Sequence, residues 1–467
     1  MKIILFNPPY SDIYGDYKPA AKVGVNYPPL GLMYLAAVLK KDHSVLLEDL
    51  EVNQWKEQQI KDYLIKTTPD MVAIGSTTPT HHSAEAIFKI VKQTNHNIIT
   101  VAGGPHPTVL SEEVTTNPHI DFVVRGEGEI TIKELCAGLP NKEIKGLSFI
   151  KDGILCHTPD REMLDDLDRL PYPARKSLNQ NDYQWSVTGE GFKPVTPITT
   201  TRGCCFNCSF CSGHLTMGKK IRYRSVYNVI GEIKQIHKMG INYLVFEDDT
   251  FGVNKQRTYE LLDAMAELPF KIKCEGMTRA NLATEELLTK MKQAGFVRLS
   301  FGIESGNQQL LNNVKKGTKL DDYQKAFKLA KRLGFETRGS IIIGLPGETV
   351  QTIKNTISFI KSLDLYQVYI NIGTPFPGTE YHTQAKEGFG GLKLLAGDWR
   401  EYRRWGGAVI ECNDLTAEDL VKWQRKAMLS FYLRPKIIWY NLFRRAGFKA
   451  NFINGISFLL SFIKKKK

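Results

Sequence analysis

The stretch Thr200-Thr201-Arg202-Gly203-Cys204-Cys205-Phe206-Asn207-Cys208-Ser209-Phe210-Cys211 contains three cysteines at C-x3-C-x2-C spacing: Cys204, Cys208 and Cys211. Only Cys204, and not the adjacent Cys205, gives this spacing. Three thiolates on one short loop can each bind one iron of a [4Fe–4S] cube, whereas clusters that only transfer electrons usually take four cysteines. The fourth iron then lacks a protein ligand. The spacing therefore predicts a cluster that takes part in chemistry.

A zinc site is the alternative for this loop. Zinc usually takes a closed set of four ligands, commonly two C-x2-C pairs or a mixed set of cysteines and histidines. His214 is close enough in the sequence to act as a fourth ligand. The order of the motifs downstream of the cysteines, given below, favours the iron–sulfur cluster.

The cysteine triplet and its setting resemble the radical S-adenosylmethionine (radical SAM) superfamily. In that superfamily the open iron binds the amino and carboxylate groups of SAM. An electron from the cluster then cleaves the sulfonium and gives a 5′-deoxyadenosyl radical. Many members carry a proline after the first cysteine, where this chain has Cys205.

The chain of 467 residues is long enough for two or three domains. Its cysteines do not form a disulfide framework, because four lie in one loop and the other four are scattered. This usage predicts a reducing, cytoplasmic location. The apolar run at the N-terminus, residues 1–6, is too short for a signal peptide and is typical of a buried strand.

The net charge of +13 is concentrated in the C-terminal tail. Residues 420–467 contain twelve Lys or Arg and no Asp or Glu, whereas the other 419 residues contain 50 basic and 49 acidic side chains. A nucleic-acid-binding enzyme would be expected to carry its basic surface near its site, so this distribution argues against one.

The tail also carries apolar residues at helical spacing, followed by Lys464–Lys467. The apolar run is shorter than the ~20 residues needed to span a bilayer. It predicts a basic amphipathic helix on an anionic membrane surface, at the inner face of the membrane. The alternative is a helix docked on the protein's own surface. The apolar positions are Phe452, Ile453, Ile456, Leu459, Leu460 and Ile463.

Residues 1–150 alternate short apolar strands with helical stretches, which predicts a Rossmann-like α/β domain with a parallel sheet. Ligands of such sheets bind beyond the carboxyl ends of the strands. Polar and glycine-rich segments fall at those ends, at 76–80, 103–108 and 125–129. The predicted strands are Ile3–Phe6, Ser44–Glu48, Met71–Gly75, Ile98–Gly103 and Phe122–Val124.

These segments resemble the cobalamin-binding domain of cobalamin-dependent radical SAM enzymes. The resemblance implies that five residues line a cavity for the nucleotide tail of cobalamin: Ser76, Thr77, Gly103, Gly104 and His106. A D-x-H-x-x-G motif, which supplies a histidine to cobalt in many cobalamin proteins, is missing; residues 7–15 read Asn-Pro-Pro-Tyr-Ser-Asp-Ile-Tyr-Gly. A degenerate domain that binds no cobalamin is the alternative.

Residues 151–195 are predicted to be a linker, 196–385 a partial (β/α)6 radical SAM barrel, and 386–467 a mostly helical C-terminal region that ends in the basic tail. Sites in barrels gather at the carboxyl ends of the strands. The six predicted strands of the barrel are Val195–Thr200, Tyr243–Glu247, Lys271–Met277, Arg298–Gly302, Glu336–Ile343 and Val368–Ile372.

Further motifs end the later strands in the order found in the radical SAM family. The resemblance implies that Glu247 and Asp248 lie near the SAM ammonium group and that Arg279 pairs with the SAM carboxylate. It implies that Glu304 binds the ribose hydroxyls. Phe210, beside the last cysteine, and Ser340, on the strand that packs against adenine, complete the predicted SAM contacts.

Together these features are similar to those of cobalamin-dependent radical SAM enzymes over nearly the whole chain. The resemblance implies methylation of an unactivated carbon, with flavodoxin or ferredoxin as electron donor. The basic tail suggests a lipid-like substrate, and a secondary metabolite is also consistent with the family. The alternatives are oxidative cyclisation or carbon–carbon bond formation without methyl transfer, methylthiotransfer, and a protein that senses cobalamin or SAM without catalysis.

Overall fold

The computed structural model of the protein describes residues 1–11, 27–183, 194–395, 397–403 and 405–443. Its first half is built on a seven-stranded sheet with the order β2-β1-β3-β4-β5-β6-β7. The first five strands in the chain pair in parallel, as the sequence predicts. The strands are β1 (Lys2–Asn7), β2 (Ser44–Asp49), β3 (Met71–Gly75), β4 (Ile99–Gly103), β5 (Phe122–Val124), β6 (Leu147–Lys151) and β7 (Ile154–His157).

Helices cover both faces of this sheet and form two separate cores. In the central strand β1, Ile3 and Leu5 pack into one core and Ile4 and Phe6 into the other. A strand that is buried on both faces is expected to be continuously apolar, as β1 is. The helices are Leu30–Leu39, Leu50–Asn53, Glu57–Thr67, His81–Thr94, Pro105–Val109, Ser111–Thr115 and Gly128–Cys136.

The direction in which the chain adds strands reverses between β1 and β3. After β1 the chain places β2 on one side of it, and then places β3, β4 and β5 on the other side. In open α/β sheets, ligands bind in the crevice at such a reversal, beyond the carboxyl ends of the strands. The segment Ser76–Thr80 leaves β3 at this crevice. The position agrees with the ligand-binding edge expected from the sequence.

The hairpin of β6 and β7 extends the sheet with antiparallel pairing. The sequence analysis did not predict these strands. The predicted domain boundary at residue 150 falls inside this hairpin, and the sheet continues to His157.

The second half contains six parallel strands in the order β15-β14-β13-β12-β11-β8, which form an open, partial barrel. This arrangement confirms the predicted fold class. The strands are β8 (Thr196–Ile198), β11 (Tyr243–Phe246), β12 (Lys273–Thr278), β13 (Phe296–Glu304), β14 (Glu336–Ile343) and β15 (Gln367–Ile372). The helices are Gly213–Met217, Val226–Lys238, Lys255–Ala266, Glu285–Gln293, Gln308–Asn313, Leu320–Arg332, Val350–Ser362 and Glu380–Glu387.

An ionic network lies inside the barrel. The Glu275 carboxylate is 3.1 Å from a guanidinium nitrogen of Arg298 and 3.1 Å from one of Arg338. The Tyr243 hydroxyl donates to the same carboxylate at 3.1 Å. Buried charges are costly unless they are paired. In this network each charged group has a partner of opposite charge, so the network holds the side chains inside the barrel in place.

The C-terminal region packs against the barrel through the helices Ala417–Tyr432 and Pro435–Phe443 and a hairpin of β16 (Leu392–Leu394) and β17 (Ile410–Cys412). In the part of the chain that the structure describes, no helix is both long and apolar enough to cross a membrane. The predicted amphipathic helix over 452–463 and its lysine end lie outside the described residues.

Candidate active site

The three cysteines lie on a loop that follows the first barrel strand, β8. Two short strands, β9 (Thr201–Arg202) and β10 (Arg222–Tyr223), pair at the neck of this loop. Cys208 is buried, and Cys204 and Cys211 are partly exposed. Burial raises the pKa of Cys211, and the nearby Cys208 and Cys204 raise it further. The loop therefore holds the three thiols near one another.

Backbone contacts fix the shape of this cysteine loop. Gly203 has a φ of +96°, and a Cβ atom there would lie 2.3 Å from the Lys220 carbonyl oxygen. The Cys204 amide donates to the Gly218 carbonyl at 3.2 Å. Further along, the Ser209 amide donates to the Val314 carbonyl at 3.0 Å, which ties the loop to the barrel.

Two of the predicted SAM contacts meet at the cysteine loop: Phe210 lies on it, and Arg279 lies beside it. A guanidinium nitrogen of Arg279 is 3.6 Å from the Cys208 sulfur, and its guanidinium lies 3.7 Å from the centre of the Phe206 ring. Lys316 lies 5.8 Å from the centre of the Phe210 ring. The buried Nε of Arg279 has no hydrogen-bond partner among the described residues.

Glu304 joins the same cluster through Lys316. The Lys316 ammonium lies 2.8 Å from the Glu304 carboxylate, and both side chains are buried. Burial alone would lower the pKa of Lys316, but the adjacent Glu304 carboxylate, together with Tyr323 and Cys208, offsets this effect and raises the pKa. Glu304 adopts a φ of +62°, which is a strained conformation for a residue other than glycine. Ser340 pairs with Gly302 in register, so it lies beside this group.

Asp248 is engaged with the strand that leads into the cysteine loop. Its carboxylate accepts hydrogen bonds from the Thr200 amide at 2.6 Å and the Thr201 amide at 2.8 Å. It also accepts from the hydroxyls of Thr200 at 2.7 Å and Thr199 at 3.2 Å. These four hydrogen bonds occupy the lone pairs of the Asp248 carboxylate that the predicted contact with SAM would need. Asp248 therefore holds the protein backbone.

The neighbouring Asp249, which sequence reasoning missed, faces the cysteine loop. Its Oδ1 would lie 3.4 Å from a Cβ atom placed on Gly213, and the same Cβ would lie 3.6 Å from the Cys211 sulfur. Burial raises the pKa of Asp249, and the nearby Asp248 adds to the shift. The Gly203 backbone lies close enough to the Asp249 carboxylate to lower its pKa and so to oppose this shift. The sequence held one signal for this difference. Side chains alternate between the two faces of an extended segment, so residues 247 and 249 point away from the side that 248 faces.

Glu247 lies apart from this group, inside the barrel. Its side chain is accessible to solvent within the barrel. The protein surrounds the carboxyl group, and the resulting loss of hydration raises its pKa. The Tyr27 hydroxyl donates a hydrogen bond to it. Met277, on the next strand, is 44% exposed although it points into the barrel. Glu247 and Met277 are therefore both accessible to solvent at this end of the barrel.

At the edge of the first sheet, the predicted cobalamin-contacting loops touch one another through their backbones. The Ser76 amide donates to the Gly103 carbonyl at 2.9 Å. Gly104 has a φ of +92°, and a Cβ atom there would lie 2.9 Å from both the amide nitrogen and the carbonyl oxygen of Ser76. Only glycine allows this approach. Thr77 remains exposed beside it.

His106 belongs to a buried stack of aromatic rings. Its Nδ1 is 3.1 Å from the Thr78 hydroxyl oxygen, and its Nε2 has no hydrogen-bond partner among the described residues. The His81 ring centre lies 4.1 Å away, and the Trp399 ring centre lies 5.7 Å away. Burial lowers the pKa of His106 to about 3 and that of His81 to about 4. The sequence analysis did not anticipate that His81 is buried.

The two halves of the molecule share a cavity. Its volume is about 210 Å³. The first domain contributes Thr77, Thr80 and Pro105, and the segment after the last cysteine contributes Ser212 and Thr216. The loops predicted to contact cobalamin and the cysteine loop therefore face the same space.

Comparison with known proteins agrees with both halves. Residues 198–360 match the radical SAM superfamily, and residues 19–136 match the B12 binding domain. An uncharacterized methyltransferase of Pyrococcus horikoshii is 36% identical over 454 residues, covering 96% of each chain. The chain belongs to the cobalamin-dependent radical SAM enzymes.

Two other similar proteins show the range of this family. The anaerobic magnesium-protoporphyrin IX monomethyl ester cyclase of Rubrivivax gelatinosus is 27% identical over 81% of this chain and 68% of its own. The radical SAM methyltransferase TsrM of Kitasatospora setae, whose structure holds cobalamin and a [4Fe–4S] cluster, has a TM-score of 0.72 and 16% identity. That match covers 93% of this chain and 89% of TsrM. The resemblance to TsrM concerns the fold.

The residues present fit the cofactors of a cobalamin-dependent radical SAM enzyme. Within the described ranges, no three Cys, His, Asp or Glu side chains are placed to share a single metal ion. Cluster cysteines bind different irons and need not converge on one point. At the other edge, the backbone approach at Gly104 and the exposed Thr77 place small side chains where cobalamin is predicted to bind.

Proposed function

We propose that this radical SAM enzyme methylates an unactivated carbon of a small molecule in a cobalamin-dependent reaction. The observation that carries the proposal is the cavity bounded both by Thr77–Thr80 of the first domain and by Ser212 and Thr216 of the cysteine segment. When bound, the cluster and SAM supply hydrogen-atom abstraction, and cobalamin supplies the methyl group. A shared cavity lets both act on one substrate carbon without release.

The side chains around the cysteine loop are suited to bind SAM. The Nε of Arg279 has no partner among the described residues and is available for a carboxylate. Asp249 offers a carboxylate for the SAM ammonium group, and Asp248 keeps the strand behind it in place. Phe210, Glu304 and Ser340 lie close to this group and remain the proposed contacts for the rest of SAM. The three cysteines remain the proposed ligands of the cluster.

The interior of the barrel bears on the substrate. Glu247 is accessible there, and Ser300, Tyr369 and Asn371 lie on the strand faces opposite the apolar core. These groups favour a substrate with hydrogen-bonding groups, such as a secondary metabolite, over a plain hydrocarbon. The lipid-like substrate suggested by the tail stays a prediction. If removal of residues 450–467 leaves binding to anionic liposomes unchanged, the membrane hypothesis is wrong.

The two halves of the proposed reaction can be tested without the natural substrate. The protein is reconstituted anaerobically with iron, sulfide and cobalamin, and is then given a reductant and SAM. We expect both S-adenosylhomocysteine and 5′-deoxyadenosine. The variant Cys208→Ala should lose 5′-deoxyadenosine and keep S-adenosylhomocysteine, whereas omission of cobalamin should abolish S-adenosylhomocysteine. Formation of S-adenosylhomocysteine without cobalamin would contradict the proposal.

Radical chemistry without methyl transfer is the second candidate, because a relative that covers most of this chain is named a cyclase. The same experiment separates the two. A cyclase-type enzyme would form 5′-deoxyadenosine from SAM, and no S-adenosylhomocysteine would accumulate even with cobalamin bound.

A further inference from the structure

The neck of the cysteine loop places two arginines side by side. In the antiparallel pair of β9 and β10, Arg202 lies directly opposite Arg222. Residues 203–221 between them contain all three cysteines of the triplet. Like charges directly opposite each other on paired strands are destabilising. Both side chains are also buried, with 8% and 3% of their surface exposed, so the neck needs an anion.

Glu127 of the first domain supplies that anion to both arginines. Its Oε1 lies 2.9 Å from a guanidinium nitrogen of Arg202, and its Oε2 lies 2.7 Å from one of Arg222. Glu129 adds a second contact to Arg202 at 2.6 Å. Both glutamates follow β5, at the same sheet edge as Gly104. One carboxylate therefore bridges the two strands of the neck.

The linker between the domains meets the same carboxylate. The Leu164 amide donates to Glu127 Oε2 at 2.9 Å, and the Leu164 carbonyl accepts from Arg222 at 3.0 Å. Arg222 also donates to the Met217 carbonyl, inside the cysteine loop, at 2.9 Å. Three segments of the chain thus converge on Glu127: the first domain, the linker and the loop.

We propose that Glu127 is a positioning residue that clamps the cysteine loop to the first domain and so sets the placement of the cluster relative to cobalamin. The inference rests on the proposed function in one respect, since it takes the loop to hold the cluster and the first domain to hold cobalamin. Removal of this carboxylate leaves two buried guanidinium groups with reduced compensation, which is strongly unfavourable for the local structure.

The clamp is tested first in protein without cofactors. Glu127→Gln keeps the shape of the side chain and removes its charge. The matched control is Glu134→Gln, because Glu134 lies on the next helix of the same domain and pairs with Arg161 and not with Arg202 or Arg222. Hydrogen exchange of peptides covering 201–204 and 217–223 should rise on the order of tenfold in Glu127→Gln and stay unchanged in the control.

The second readout is the distance between the two cofactors. Pulsed electron paramagnetic resonance on reconstituted protein measures the separation of the reduced cluster from Co(II) cobalamin. We expect one narrow distance distribution in the wild type and in Glu134→Gln, and a broader one in Glu127→Gln. A residue that only stabilised the fold would lower the unfolding midpoint and leave this distribution narrow.

Two results would overturn the proposal: wild-type exchange at the neck in Glu127→Gln, or an equal rise in Glu134→Gln. If Glu127→Gln does not fold, Glu129→Gln decides the question, because it removes only one contact to Arg202. The clamp then predicts increased exchange on the Arg202 side and none on the Arg222 side. Failure of the wild type to bind cobalamin would refute the proposed function, while the exchange experiment would still decide on the clamp.

Discussion

The carboxyl ends of the two parallel sheets are built by different means. In the first sheet, the loops after β3 and β4 touch through their backbones at Ser76 and Gly104, and the buried histidines nearby are uncharged. At the edge of the barrel, Asp248 and Arg279 hold the cysteine loop with charged groups. The cysteine loop thus combines backbone contacts with charged partners, whereas the predicted cobalamin edge relies on close backbone contact beside uncharged groups.

The largest loss of activity should follow from a substitution in the cysteine loop, at the edge of the barrel. Cys204→Ala removes one thiolate of the C-x3-C-x2-C triplet, and Cys205→Ala is the matched control at the adjacent position. We expect Cys204→Ala to lose 5′-deoxyadenosine formation and most of its bound iron and sulfide, and to keep cobalamin. Cys205→Ala should keep both. Iron, sulfide and nucleoside analysis measure the outcome. Equal loss in the two variants would refute the assignment of the triplet.

The second prediction changes the edge of the first sheet and leaves the cysteine loop as it is. Gly104→Ala places a Cβ atom 2.9 Å from two backbone atoms of Ser76, at a φ of +92°. We expect an unfolding free energy lower by about 1–3 kcal/mol and a dissociation constant for cobalamin raised by roughly tenfold or more. The cluster content should not change.

Gly126→Ala is the control for this prediction. Gly126 also has a positive φ, +72°, but a Cβ atom there meets nothing within 4 Å. It should lower stability without weakening cobalamin binding. If titration by absorbance gives the same affinity for both alanine variants and the wild type, the Gly104 contact does not shape a cobalamin site.

Some of this comparison could be predicted from the sequence, and some could not. Apolar runs such as Ile3–Phe6 and the spacing of the cysteines were enough for the two parallel sheets and the position of the loop. Roles that depend on which side chains meet were not accessible. Nothing local in the sequence indicates that His81 stacks on His106, or that Arg202 and Arg222 share one carboxylate. Alternation would have separated Asp248 from Asp249, but only once the segment was known to be extended there.

The two adjacent aspartates provide the next test. Asp248→Asn loses charge-assisted bonds to Thr200 and Thr201, so we expect an unfolding free energy lower by about 1.5–3 kcal/mol and weaker retention of the cluster. Asp249→Asn should have nearly wild-type stability and a raised dissociation constant for SAM. Denaturant unfolding and calorimetric titration measure the two effects. The opposite pattern would return Asp248 to the SAM site.

The last effect concerns the neutral histidines and appears only as the pH falls. The pKa values of His81 and His106 are lowered to about 4 and about 3, so the unfolded chain binds protons below about pH 6.5 that the folded chain does not. Stability from this pair is present above that pH and is lost as the pH falls. For each of the two histidines we expect a loss on the order of 2 kcal/mol between about pH 6.5 and pH 4.5.

The variant His106→Gln should flatten this pH dependence, and His96→Gln, at an exposed position, should leave it as in the wild type. Unfolding in denaturant over a series of pH values gives the slopes. An unchanged slope in His106→Gln would show that the acid sensitivity arises elsewhere in the protein.

The most direct test of the account is the cofactor content of the intact protein. After anaerobic reconstitution with iron, sulfide and hydroxocobalamin, gel filtration removes what is not bound. The account predicts near-stoichiometric cobalamin on the same chains that hold the iron and sulfide of one cluster. An intact cluster with no retained cobalamin would contradict it, because the first domain would then serve only as a scaffold for radical chemistry.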